Sequence, residues 1–131
     1  MSTILVNTLT GTTTAGSIAV TGEGNSTTTN LQQGLCKNFC NWDMTGTAEI
    51  KNSFNITSLT DNGTGDATLT IANDFSNAFP IYGAMTETGT TNGVTAASAI
   101  TTGSIRIVQR NVSLNSADRD CVCLTGCGDL A

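Results

Sequence analysis

Asn52-Ser53-Phe54-Asn55-Ile56-Thr57-Ser58-Leu59-Thr60-Asp61-Asn62-Gly63-Thr64-Gly65-Asp66-Ala67-Thr68-Leu69-Thr70-Ile71 is the stretch whose reading decides the fold. Phe54 and Ile56 alternate with polar residues, as do Ala67, Leu69 and Ile71. That period of two is the mark of a half-buried strand. Between the two runs lies Asp61-Asn62-Gly63-Thr64-Gly65-Asp66. Its residues tolerate positive φ and bond their own backbone, so the whole reads as a strand, a tight turn and a second strand.

The same pattern continues outward. Candidate strands are Ala48–Lys51, Ser53–Leu59, Ala67–Ala72, Pro80–Thr86, Ser104–Arg110 and Asp120–Thr125. Turn-rich segments separate them, which predicts an all-β chain folded as a small antiparallel β-sandwich. Composition agrees: 131 residues suit one small domain with an arm, only 5% are aromatic and 11% charged. Threonine favours strands, whereas Gly and Asn favour turns. Two long loops are expected, Glu87–Gly103 and Asn111–Arg119, and such loops commonly carry binding. Thr90, Thr91, Asn92, Asn115 and Arg119 are the candidates to face a receptor.

Before residue 45 the pattern is weaker. Ile4-Leu5-Val6 and Ile18-Ala19-Val20 are short apolar runs among polar turns. Neither can bury its surface alone, so residues 1–30 read as an extended β arm that needs a partner surface, with Ile4, Leu5, Val6, Ile18 and Val20 as its contacts. Asn30 is a plausible N-cap for a short helix, with Leu31, Leu35, Phe39 and Trp42 on one side. About three turns would be marginal alone, and Gly34 weakens them, so this face is expected to pack on the sheet or on copies of itself about a threefold axis. The expected organisation is an arm over 1–30, a helix and connector over 31–44, and an outer sandwich over 45–131.

Several functions are disfavoured. The net charge is −5, with five Lys and Arg against ten acids, which opposes nucleic-acid binding. No histidine is present, so the commonest general base and zinc ligand are lacking. Asp61, Asp66, Asp118 and Asp120 lie in expected turns, where capping is the usual role. No catalytic residue, and so no enzyme, is expected. No run approaches the roughly 18 apolar residues of a membrane span. Met1 is followed by Ser-Thr without a basic or long apolar leader, so folding in a cytoplasm is expected.

The five cysteines are the least settled feature. Cys36 and Cys40, spaced i, i+4, would share a helix face. Cys121, Cys123 and Cys127 would share one strand face, with Val122 and Leu124 on the other. The spacings are not those of zinc ribbons, so no metal and no cofactor is expected. A disulfide is open, but an odd count leaves one thiol over. The preferred expectation is five unpaired thiols acting as small apolar core residues.

The wording of the central hairpin, Ser53-Phe54-Asn55 through Asp61-Asn62-Gly63-Thr64-Gly65-Asp66, also resembles a domain at the ends of fibre proteins of tailed bacteriophages, especially marine ones. Met1 to Gly11 resembles the usual start of their short fibre proteins, Leu31-Gln32-Gln33-Gly34-Leu35 is similar to the helix before their globular domain, and Gly128-Asp129-Leu130-Ala131 resembles family endings. The cysteines stand where small or aliphatic residues are typical of that family. The resemblance implies a trimeric virion protein, either a tail fibre or a capsid-attached head fibre, assembled in the host bacterial cytoplasm. Its partners would be two copies of itself, other virion proteins (capsid, tail or adaptor), and a host-surface glycan or protein. A soluble glycan-binding β-sandwich outside any virion is the other reading.

Overall fold

The structure, a computed structural model, describes residues 3–11, 18–21, 28–86 and 93–131. The chain divides into two compact units, Met1–Leu35 and Cys36–Ala131.

In the first unit β1 (Ala19–Thr21) pairs antiparallel with β2 (Thr28–Asn30), with Ala19 opposite Asn30. A single helical turn, α1 (Leu31–Gly34), follows, and the Leu31 amide donates to the Ile18 carbonyl at 2.8 Å. Three residues per strand is too little to close a core.

The second unit is an antiparallel β-sandwich of two four-stranded sheets. Its strands are β3 (Asn38–Asp43), β4 (Glu49–Phe54), β5 (Ile56–Gly63), β6 (Asp66–Ile71), β7 (Ile81–Thr86), β8 (Gly93–Ile100), β9 (Ser104–Asn111) and β10 (Val122–Cys127). The first sheet runs β4-β3-β10-β7 and the second β5-β6-β9-β8. Alternation aims Cys40 and Trp42 of β3, Ala67 and Leu69 of β6, Ile105 and Ile107 of β9, and Val122 and Leu124 of β10 into one shared core, with Met44 beside them.

The central hairpin holds for its second half. β5 and β6 pair antiparallel, with Leu59 opposite Leu69. The first half is broken at Asn55, whose φ of 57° turns the chain out of the first sheet and into the second. Asparagine tolerates this left-handed backbone better than most residues. Its side chain locks the corner: Nδ2 donates to the Lys37 and Asn73 carbonyls, each at 3.1 Å, and Oδ1 accepts from the Asn73 amide at 2.7 Å. Phe54 and Ile56 therefore belong to different sheets rather than to one strand face.

At the hairpin tip Gly65 has φ of 67°, and a Cβ there would stand 2.5 Å from the Gln109 carbonyl oxygen and 2.6 Å from the Ala117 nitrogen. Only glycine lets the tip lie flat on the end of β9.

Three expectations are corrected. The helix over Leu31–Trp42 stops at Gly34, and residues 38–43 are a strand. Phe39 and Trp42 have helical spacing, but Asn, Phe, Cys and Trp are poor helix formers, and the aromatics suit a sheet. The sandwich consequently begins near Cys36 rather than at 45, because β3 is one of its inner strands. The described part of the expected loop Glu87–Gly103 is largely strand: β8 is an edge strand paired along β9. Its Ala- and Thr-rich sequence has little apolar alternation, and pairing on one side alone defines it.

Candidate interaction surface

The two outward faces of the sandwich are built from different residues. On the second sheet the face carries Thr60, Asp66, Thr68, Thr70, Ser104 and Arg106 in cross-strand register. Arg106 grips Asp66 with two parallel bonds, Nε to Oδ1 at 2.8 Å and Nη2 to Oδ2. Asn62 Nδ2 adds bonds to Asp66 Oδ1 at 3.1 Å and Thr68 Oγ1 at 2.8 Å. The Arg106 bond holds the Asp66 carboxyl below its usual range. These polar groups satisfy one another, while Val94, opposite Arg110 on the edge strand, stays 51% exposed.

The first sheet ends differently. Register places Phe54, Phe39, Thr125 and Gly83 in one outward row and Asn52, Asn41, Cys123 and Met85 in the next. Ile81 and Cys127 extend the pattern at one end. Phe39 and Phe54 stack with centroids 5.9 Å apart, yet Phe54 stays 53% exposed, Ile81 77% and Met85 73%. These rows carry no charge. The charges lie beyond them, where Lys51 bonds both Glu49 and Asp43. An uncharged sheet face with aromatic, Met and Ile side chains in solvent is the composition of an interface.

Four of the five thiols lie away from the core. Cys40 alone is buried, and burial, with Cys123 nearby, pushes its thiol up to about 12. Cys36 is exposed, and Cys121, Cys123 and Cys127 are half-buried. None is in a disulfide. The small-apolar-core expectation is thus corrected for all but Cys40. Nor do Cys36 and Cys40 share a helix face, since both lie past the end of α1. The β10 cysteines share one side, as expected, with Val122 and Leu124 on the other, but theirs is the outward side.

The carboxylates serve the backbone. Asp43 Oδ1 accepts from the Thr45 amide at 2.7 Å and its hydroxyl at 2.6 Å, and the hydroxyl bond leads in lowering its pKa. Asp61 accepts from the Gly63 amide at 2.8 Å and Asp118 from the Gly65 amide at 2.6 Å. Among the described residues no group of three or more His, Cys, Asp or Glu gathers to hold a metal, and no helix is long and apolar enough to cross a membrane.

The expected contact residues separate. Ile4 and Leu5 of the arm are 84% and 90% exposed, Val6 and Val20 are also exposed, and Ile18 is half-buried. Of the helix set, Leu31 is half-buried, and Leu35 and Phe39 are exposed. Trp42 is fully buried in the sandwich core and leaves the interface set. Thr90, Thr91 and Asn92 lie outside the described residues. Asn115 is exposed, on a loop folded tightly around Asn111 Oδ1, which accepts from the Ser113 and Asn115 amides at 2.9 and 3.0 Å. Arg119 is corrected: only 8% exposed, it lies with its guanidinium against Gly93 and faces no receptor. The Phe54, Ile81 and Met85 face was missed. Alternate positions on strands far apart in sequence reveal a common face only once the pairing order is known.

Comparison with family models, with curated proteins and with solved structures finds no match to this chain.

Proposed function

We propose that this chain is a non-enzymatic virion structural subunit of a tailed bacteriophage, a homotrimeric fibre or spike attached to the particle through its N-terminal arm. The observation that carries the reading is apolar surface that a single copy leaves uncovered. In the arm this is Ile4, Leu5, Val6, Leu9 and Val20, beside a ladder of three residue pairs. Aliphatic side chains so placed gain roughly 1.5–3 kcal/mol each when a partner covers them. In the sandwich it is the Phe39–Phe54 face, which offers a contact between copies in place of the helix expected there. The hairpin wording and the N-terminal wording add the phage resemblance. Within this class the two placements are a tail fibre and a capsid-attached head fibre. Host contact would fall to loops such as the one carrying Asn115.

Deleting residues 2–28 tests the attachment role. The outer domain should keep its cooperative melting while the truncated chain no longer co-purifies with particles. Incorporation of the truncated chain at the full-length level would refute arm attachment.

A further inference from the structure

Cys121 and Cys123 stand just before and within β10, and their sulfurs are 4.0 Å apart. Asn41 on the neighbouring strand β3 points its side-chain amide between them, donating to Cys121 Sγ at 3.2 Å and Cys123 Sγ at 3.0 Å. Met85 of β7 is directly opposite Cys123 across the other ladder, on the same outward face. Directly opposed side chains start about 4.5–5.5 Å apart at Cβ, and methionine's unbranched thioether reaches that far. Two half-buried thiols, both bonded by one amide, thus lie within reach of an exposed thioether across the ladder.

The spacing is informative. With metal–sulfur bonds of about 2.3 Å, two sulfurs bound to one ion stand about 4.0 Å apart at a trigonal angle and about 4.6 Å apart when collinear. The observed separation matches the trigonal edge without movement of the backbone. The donor set is soft, and it lacks the four N or S donors and the carboxylates that zinc or harder cations use. Thiolate and thioether ligands select Cu(I).

We propose that Cys121 and Cys123, with Met85 as third ligand, form a trigonal site for one Cu(I) ion per chain. Binding is ligand exchange without redox change: three S–Cu bonds form, two to thiolates and one to the thioether, as the ion's former ligands leave, two thiol protons pass to solvent, and the ion stays Cu(I). Asn41 acts as a positioning residue, bonding both sulfurs. Cys36 and Cys127 take no part.

The test is anaerobic titration of the full, reduced chain with Cu(I) in competition with a chromophoric Cu(I) chelator. X-ray absorption on the loaded protein then counts the sulfur neighbours. One equivalent should bind with three sulfur neighbours. The Cys36→Ser/Cys127→Ser variant should bind identically. Cys121→Ser/Cys123→Ser should lose more than the roughly 10–100-fold that removal of a supporting residue costs, and Asn41→Ala should fall within that range. Met85→Leu should weaken binding and leave two sulfur neighbours. No uptake by the parent chain, unchanged affinity in the Cys121→Ser/Cys123→Ser or Met85→Leu variants, or loss in the Cys36→Ser/Cys127→Ser variant would each overturn the assignment. Circular dichroism of every variant against the parent separates loss of site from loss of fold.

Discussion

The two outward faces of the sandwich rest on one core and are finished in opposite ways. On the β5-β6-β9-β8 sheet, polar side chains pair with one another, as Asp66 does with Arg106 and Asn62. On the β4-β3-β10-β7 sheet, Phe39, Phe54, Ile81 and Met85 project from rows without charge. Both faces belong to four-stranded antiparallel sheets. The difference teaches that exposure of the second face is a property of its sequence rather than of the fold. A face meant for water is readily made from Thr, Ser and ion pairs, and the same molecule makes one.

The sharpest way to break this comparison is to damage what both faces share. Trp42 is fully buried beneath the open face, in contact with the common core. Trp42→Ala should lower unfolding free energy by about 3–5 kcal/mol in denaturant titration. Phe39→Ala, three residues earlier on the opposite side of the same strand, should change the stability of the isolated sandwich by only about 1 kcal/mol. Equal losses at the two positions would show that Phe39 is part of the core.

A second substitution acts on the closed side. Gly65 combines φ of 67° with backbone atoms 2.5 and 2.6 Å from any Cβ. Gly65→Ala should destabilise by about 2–4 kcal/mol, because neither the turn nor the end of β9 can yield cheaply. A thermal shift below about 4 °C would mean that the hairpin tip relaxes freely.

How far the sequence revealed these features follows the physics of each element. β6 was legible because Ala67, Leu69 and Ile71 alternate and the turn before them is rich in glycine and acids. β3 was not: Leu31, Leu35, Phe39 and Trp42 fall on a helical arc, and strand pairing with β10 and β4 overrides that local pattern. β8 has too few large side chains to show a period. The break at Asn55 hides inside an apparently continuous strand because its cause, bonds to Lys37 and Asn73, is tertiary. The exposed arm was legible, since short apolar runs among turns cannot bury themselves. The open face was not, since it assembles from strands far apart in sequence. The outward thiols likewise gave no local sign: β10 showed which cysteines share a side, but not which side meets solvent.

The smallest expected effect is electrostatic. Arg106 depresses the Asp66 carboxyl, and Thr45 that of Asp43. A carboxylate depressed in the folded state adds stability above its unfolded value near 3.9, and that stability is lost as pH falls through the folded value. Melting temperature should hold from neutrality to about pH 5 and then decline, with a shallower decline in Asp66→Asn. Identical profiles for the two proteins would mean that the pair is neutral in stability, as exposed ion pairs often are.

The central claim is that the uncovered Phe39–Phe54 face is a contact between copies of this chain. Light scattering coupled to size exclusion, on the full chain at micromolar concentration, tests it most directly. The account predicts three times the 13.4 kDa chain mass. It also predicts a shift toward monomer when Phe39 and Phe54 are both changed to Ser, with the β-sheet circular dichroism retained. A parent chain that elutes as a 13.4 kDa monomer would contradict the account.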